Sequence, residues 1–293
     1  MPEHYQVNNL APPHKRTILA IAHPGHELRI HGWLETVLPE VWILTDGSGH
    51  TGRSRIDSTT RILRDTGAVS GPVYGAMTDV DFYKAVLSHD LRRFTDIAEQ
   101  LAVALIENNI DCVAGDAEEG YNPAHDVCRL IINAAIRLAE QKSGRQIRNY
   151  DFTLVGPPSR CPEELRANSL TLSLDDAAFA RKISAARNYP ELEAEVAAAL
   201  NGNGNGDFSE HTDIVQRIQS SLGATDADSF RVECLRPVNS HANPNTLFMD
   251  RPPFYEEYGE RQVKAGYYSQ VLRYRQHMLP LATALDSHLE RSR

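Results

Sequence analysis

A chain of 293 residues, 41% hydrophobic and 24% charged, is long enough to bury one sizeable core and reads as a single elaborated domain over residues 1–293. Thirty Lys and Arg against 39 Asp and Glu leave a formal charge of −9, which argues against nucleic acid or anionic lipid as a partner. The only apolar run in the first 22 residues, Ile18 to Ala22, is too short for a signal sequence or a membrane span, so a soluble cytoplasmic protein is expected.

Thr17 to Ala22 is a short apolar run that stops at His23-Pro24-Gly25, as a buried parallel strand stops at a functional turn. A helix is expected over His26 to Leu38. A second strand, Val41 to Thr45, breaks at Asp46-Gly47-Ser48-Gly49. Asp57 to Thr66 reads as helix, Pro72 to Ala76 as strand, Leu91 to Asn108 as a long amphipathic helix and Ile110 to Ala114 as another buried strand. Helix is expected again from about Ala124 to Gln141, and a fifth strand over Asp151 to Val155. This alternation predicts an α/β fold, a Rossmann-like three-layer sandwich with a mostly parallel sheet and a helical C-terminal extension. Residues 16–156 form its core. Residues 162–229 are expected as a helical insertion, helical over Leu172 to Leu200 and closed by the flexible run Asn201 to Gly206. Residues 230–293 supply a late strand, Phe230 to Leu235, and a final helix from about Glu260 to Glu290. That helix carries Tyr267, Tyr268, Arg273, Tyr274, Arg275 and His277, which suit a packed surface or a homo-oligomer contact and, as an alternative, a substrate surface. Cys112, Cys128, Cys161 and Cys234 show no C-x-x-C spacing and are expected as free thiols.

In doubly wound sheets, ligands collect beyond the carboxyl ends of the strands, where loops from two central strands diverge. His23 and His26 follow the first strand, and His125 follows the Ile110 strand, its neighbour across the switch in a 3-2-1-4-5 order. Three imidazoles around one point would hold a divalent ion with a fourth position open to water, whose pKa the ion lowers. The alternative is plainer: His23 and His125 cap helix starts and His26 is solvated. No Gly-x-Gly-x-x-Gly follows the first strand, which excludes a dinucleotide fingerprint there.

Ala22-His23-Pro24-Gly25-His26-Glu27 and Asn122-Pro123-Ala124-His125 resemble the two metal-binding motifs of the PIG-L/LmbE-like de-N-acetylase family, A-H-P-D-D-E and H-P-D-H. Leu44 to Gly49 and Arg55 with Asp57 ahead of Gly67 are similar as well, so the likeness runs in order over about residues 16 to 156. Arg181 to Ala186 resembles a Lys-containing helix of that family. The resemblance implies His23, His26 and His125 as ligands of a divalent metal, zinc first and ferrous iron as the alternative. An Asp ligand has become His26. It also implies a hydrolase acting on an N-acyl amine of a sugar or other small molecule. The departures are at the proton-transfer positions: Gly25 stands where the family has its general-base Asp, and Asn122 and Ala124 replace a His and an Asp.

A replacement base must lie within hydrogen-bond reach of the attacking water. Asp46 and Glu118 are the candidates, with Asn122 as a neutral donor to the carbonyl oxygen and Arg53 and Arg55 as grips for an anionic group on the substrate. Asp46 has the plainer role of closing its own Asp-Gly turn, Glu27 that of holding the His-Pro turn, and the two arginines that of exposed charges. Restoring the acid by Gly25→Asp is expected to raise hydrolysis. The alternative from another class is a non-hydrolysing relative, a metal-binding protein or an enzyme using a three-His site for lyase or redox chemistry.

Overall fold

The computed structural model describes residues 16–201, 227–242, 248 and 251–291. Seven strands form one sheet in the order β3-β2-β1-β4-β5-β7-β6: β1 Thr17–Ile21, β2 Glu40–Thr45, β3 Val69–Met77, β4 Cys112–Asp116, β5 Arg148–Phe152, β6 Leu170–Ser173 and β7 Val232–Pro237. The first five are parallel, and β7 runs antiparallel to both β5 and β6. The expected α/β architecture and its 3-2-1-4-5 core are therefore present.

The helices are α1 His31–Val37, entered through a 3-10 turn at His26–Ile30, α2 Ile56–Thr66, α3 Asp79–Leu87, α4 Leu91–Glu107, α5 Pro123–Ser143, α6 Asp176–Arg187, α7 Glu193–Asn201, α8 Phe254–Lys264 and α9 Leu279–Arg291. Side chains on a strand alternate between faces, and β1 fills two cores accordingly. Ile18, Ala20 and Ala22 pack with Phe94, Leu101, Ile131 and Leu281 of α4, α5 and α9, whereas Leu19 and Ile21 pack with Trp33, Leu34, Ile62 and Leu63 of α1 and α2. Helices on both faces leave β1 and β4 wholly buried, which is why their sequences are mostly apolar, with Asp116 the one charged residue in either. Among the described residues no helix is long and apolar enough to cross a membrane. The four cysteines are free, with Cys161 alone partly accessible.

Several boundaries differ from expectation, each for a physical reason. β4 lies at 112–116 rather than 110–114, because Ile110 ends the preceding turn, its amide bonded to Leu105 O, and pairing with β1 begins at Cys112. β5 stops at Phe152 rather than Val155, because Glu119 captures the next three residues through the Thr153 hydroxyl and the Leu154 and Val155 amides. α3 was not expected; Thr78 caps it by accepting from the Asp81 amide. The stretch from Leu172 is not continuously helical: Leu170–Ser173 pairs with β7, Asp175 then caps α6, and Pro190 lies in the break before α7. The Asn201–Gly206 run, apart from Asn201, lies outside the described residues. The final helix is two helices, because α8 ends at Ala265-Gly266 and the chain turns back so that the Tyr274 amide and the Arg273 guanidinium meet Glu256. In that turn Tyr274 and His277 are buried, while Tyr267 and Tyr268 are exposed.

Helix α6 is fastened to β7 and to the start of α1 by a buried ion pair. Lys182 of α6 lies 2.8 Å from Glu233 of β7 and also donates to the Arg29 carbonyl, while Glu233 accepts from the Gly32 and Trp33 amides at the start of α1. Removing one partner leaves an uncompensated buried charge. Lys182→Met is expected to lower unfolding free energy by about 3–5 kcal/mol in urea denaturation, and Lys182→Met with Glu233→Gln by less.

Candidate functional site

The sheet brings the predicted histidines together. Ala20 of β1 pairs with Gly115 of β4 and Ile21 with Ile43 of β2, so the carboxyl ends of these strands lie level. The ring centroids of His23 and His26 are 5.3 Å apart, those of His23 and His125 5.3 Å, and those of His26 and His125 4.7 Å, all in edge-to-face packing. His125 reaches this point from the first turn of α5, whose start is fixed by Asn122 accepting from the Ala124 amide at 2.8 Å, with Pro123 at the first helical position. His23 and His26 flank a turn held by Glu27, whose carboxylate accepts from the Gly25 amide at 2.7 Å and from the Thr59 hydroxyl at 2.6 Å. Glu27 is fully buried, and burial pushes its carboxyl up to about 7.

Two of the rings are oriented from behind. His26 Nδ1 lies 2.9 and 3.0 Å from the two oxygens of Asp116, and one of those oxygens also accepts from the Ala22 amide at 2.7 Å. His23 Nδ1 is 2.7 Å from the Thr45 hydroxyl and 3.2 Å from Asp79, the latter an ion-pair approach rather than a directed hydrogen bond. Burial alone would raise the Asp79 carboxyl, but His23, Thr45 and the Gly49 amide together hold it well below the usual carboxylate range. The rings themselves are pushed the other way. Desolvation lowers His26, against the pull of Asp116, and lowers His125 further with the help of the two neighbouring imidazoles. Burial thus favours the neutral ring in both, the form in which imidazole ligates a metal. His125 Nδ1 is buried without a hydrogen-bond partner, a cost that a bound ion would relieve. Even so, no group of three or more His, Cys, Asp or Glu side chains among the described residues is arranged to hold an ion as it stands, so the cluster is an approach of three rings and not a closed chelate.

The other predicted residues are placed as follows. Asp46 uses Oδ1 to accept from the Ser48 amide at 3.0 Å, which closes its own turn. Glu118 follows β4 by two residues, and its side chain makes no hydrogen bond among the described residues. Burial raises its carboxyl to about 7, against the pull of Arg129. Asn122 is the cap of α5 through Oδ1, which Tyr83 also approaches at 3.5 Å. Arg53 is exposed. Arg55 is half-buried near enough to His26 to disfavour its charged form, and its guanidinium makes no hydrogen bond among the described residues.

Asp116 and Asp79, the residues behind the rings, were not among the predicted site residues. Placing β4 two residues early hid Asp116 inside a loop, and missing α3 hid Asp79. The capping pattern Thr78-Asp79-Val80-Asp81 was the available signal for the latter.

No protein-family model matches the sequence. No curated protein matches it either. Among solved structures, a conserved protein from Thermus thermophilus is similar at 13% identity and a TM-score of 0.45, covering 78% of this chain and 96% of that one. The A40926 pseudoaglycone deacetylase Dbv21 is similar at 17% identity and 0.46, covering 78% and 98%, and the zinc-inhibited form of teicoplanin deacetylase Orf2 at 14% and 0.44, covering 78% and 100%. Likeness at this level says nothing about the activity of this chain.

Gly25 corrects one expectation. Its φ is +103°, a conformation that L side chains rarely adopt, and a Cβ there would meet Leu192 Cδ1 at 2.5 Å with the Tyr189 ring at 3.6 Å. Tyr189 and Leu192 precede α7 and cover the turn, and the Tyr189 hydroxyl is bonded to Thr59 and to the Arg55 carbonyl. Any side chain here is strained by the backbone and must displace the end of Leu192, so Gly25→Asp should not raise hydrolysis. It is expected to cost about 1–3 kcal/mol of backbone strain in urea denaturation, before any displacement of Leu192.

Proposed function

We propose that this chain is a metal-dependent hydrolase of the PIG-L/LmbE type, a deacetylase that removes an acyl group from an amine of a sugar or another small molecule. The single observation that supports it most is the meeting of His23, His26 and His125 at the ends of β1 and β4, with His26 oriented through Nδ1 by the buried Asp116 and His23 by the Thr45 hydroxyl beside Asp79. That is the arrangement in which ligating histidines are held. The neutral rings and the partnerless His125 Nδ1 fit a divalent ion, and imidazole suits zinc and ferrous iron alike. An ion there supplies Lewis acidity toward a carbonyl oxygen and acidifies water.

The chain's own residues supply the rest. Asp116 fixes which edge of His26 faces inward, and Thr45 with Asp79 beside it does so for His23. Glu118 is the base: it makes no hydrogen bond among the described residues, and a carboxyl near neutrality both accepts the proton of the attacking water and returns it to the departing amine nitrogen. Asp46 is second choice because its Oδ1 is committed to the Ser48 amide. Asn122 Nδ2 donates to the acyl oxygen while Oδ1 caps α5. Arg55 grips an anionic group of the substrate, and Arg53 adds charge farther out. The competing reading is a metal-binding relative that does not hydrolyse. The closure of the Gly25 turn by Leu192 and Tyr189, where a family member would carry its base, favours that reading.

Turnover on a panel of N-acetylated amino sugars, with zinc supplied, separates the two. For the hydrolase, Glu118→Gln lowers kcat/KM by about 10²–10⁴-fold and Asp46→Asn changes it little. Because the base acts only when deprotonated, wild-type kcat/KM rises with pH through about 7, and that limb disappears in Glu118→Gln. Metal-loaded protein with no turnover on any substrate supports the non-hydrolysing reading instead.

A further inference from the structure

Cys161 and Cys234 are 73 positions apart in sequence, yet the fold brings their side chains close enough to interact electrostatically. Cys234 sits in β7 opposite Thr171 of β6, buried, and its amide donates to the Pro158 carbonyl at 3.2 Å, which lays the segment carrying Cys161 along the strand. Cys161 is partly exposed and its sulfur is also 3.5 Å from the Pro162 carbonyl. One partly accessible thiol beside one buried thiol is the arrangement of a peroxide-sensing cysteine and its resolving partner. The other two cysteines, Cys112 and Cys128, are buried in opposite faces of the sheet.

We propose that Cys161 and Cys234 form a reversible disulfide under hydrogen peroxide, which tethers the segment after β5 to β7. The Cys161 sulfur, as thiolate, attacks one peroxide oxygen; the O–O bond breaks, hydroxide leaves, and the sulfur is oxidised to a sulfenic acid as the peroxide is reduced. The Cys234 sulfur then attacks that sulfur, the S–S bond forms and the S–O bond breaks. The departing hydroxide takes the Cys234 proton. In sum, two thiols and one peroxide give one disulfide and two waters. Cys161 reacts first because it is accessible, while burial and then Cys161 itself push the Cys234 thiol up to about 11.

The tether bears on the histidine cluster through existing contacts. Residues 153–156 are braced by Glu119 from the loop after β4 and by Arg29, which donates to the Thr153 and Gly156 carbonyls, from the turn after β1. A crosslink at 161 therefore restrains a segment joined to both loops that carry histidines.

The test uses the full-length protein exposed to a small excess of hydrogen peroxide, quenched with an alkylating agent and mapped by non-reducing peptide mass spectrometry. The expected product is one linked peptide pair joining Cys161 to Cys234, lighter by two hydrogens than the free peptides and separated again by dithiothreitol. Cys161→Ser abolishes it, and Cys112→Ser retains it. The crosslink should raise the melting temperature by about 5 °C, reversibly on reduction. Sulfinic acid at Cys161 without a crosslink, a link between two chains, or a melting temperature unmoved by the crosslink would each overturn the proposal. The wild-type map decides the pairing without any variant.

Discussion

One buried carboxylate does three jobs at the centre of this molecule. Asp116 ends β4, accepts from the Ala22 amide just past the end of β1, and holds His26 Nδ1 between its two oxygens. It thereby joins two strands beyond the last backbone rung of their ladder and sets the ring that stands nearest to His125. Its own carbonyl accepts from Arg129 of α5, a fully buried guanidinium that also binds Asn149 and the Tyr150 carbonyl of β5. Buried charges of this kind persist only when their partners are complete. The Asp116 side chain thus anchors the turn after β1, while its backbone carbonyl ties the same strand end, through Arg129, to α5 and β5.

The carboxyls around the site fall into two groups with opposite tendencies. Asp79 is held low by the ring and the donors it faces, so it stays ionised behind His23. Glu27, Glu118 and Asp126 are raised, first by burial; for Asp126 the neighbouring Glu118 adds to the effect. Asp126 spends one oxygen on the Glu119 and Gly120 amides, and Glu27 spends both on the turn around Gly25, so both serve architecture. Glu118 alone among the three makes no hydrogen bond to a described residue, which is why the proposed proton-transfer role is assigned to it.

The sequence carried the parallel core and the positions of the three histidines because both rest on short-range signals. Apolar runs ending at His-Pro and Asn-Pro turns mark where buried strands stop, and the switch-point rule then places the loops side by side. What it did not carry is set by long-range contacts. Asp116 looked like a loop residue until the β1 register moved β4 forward by two. The Gly25 turn looked like a missing acid, but Leu192, 167 positions further on, occupies the space that acid would need. The break at Gly266, by contrast, was a local signal overridden by the long amphipathic pattern on either side of it.

The central claim is that the three imidazoles are a metal centre. The most direct measurement is a crystal of protein purified without chelator and supplied with zinc, with anomalous difference density collected on both sides of the zinc edge. The account predicts one peak per chain bonded to His23, His26 and His125, absent in His125→Ala. A peak elsewhere, or none at those rings in zinc-saturated crystals, would contradict it.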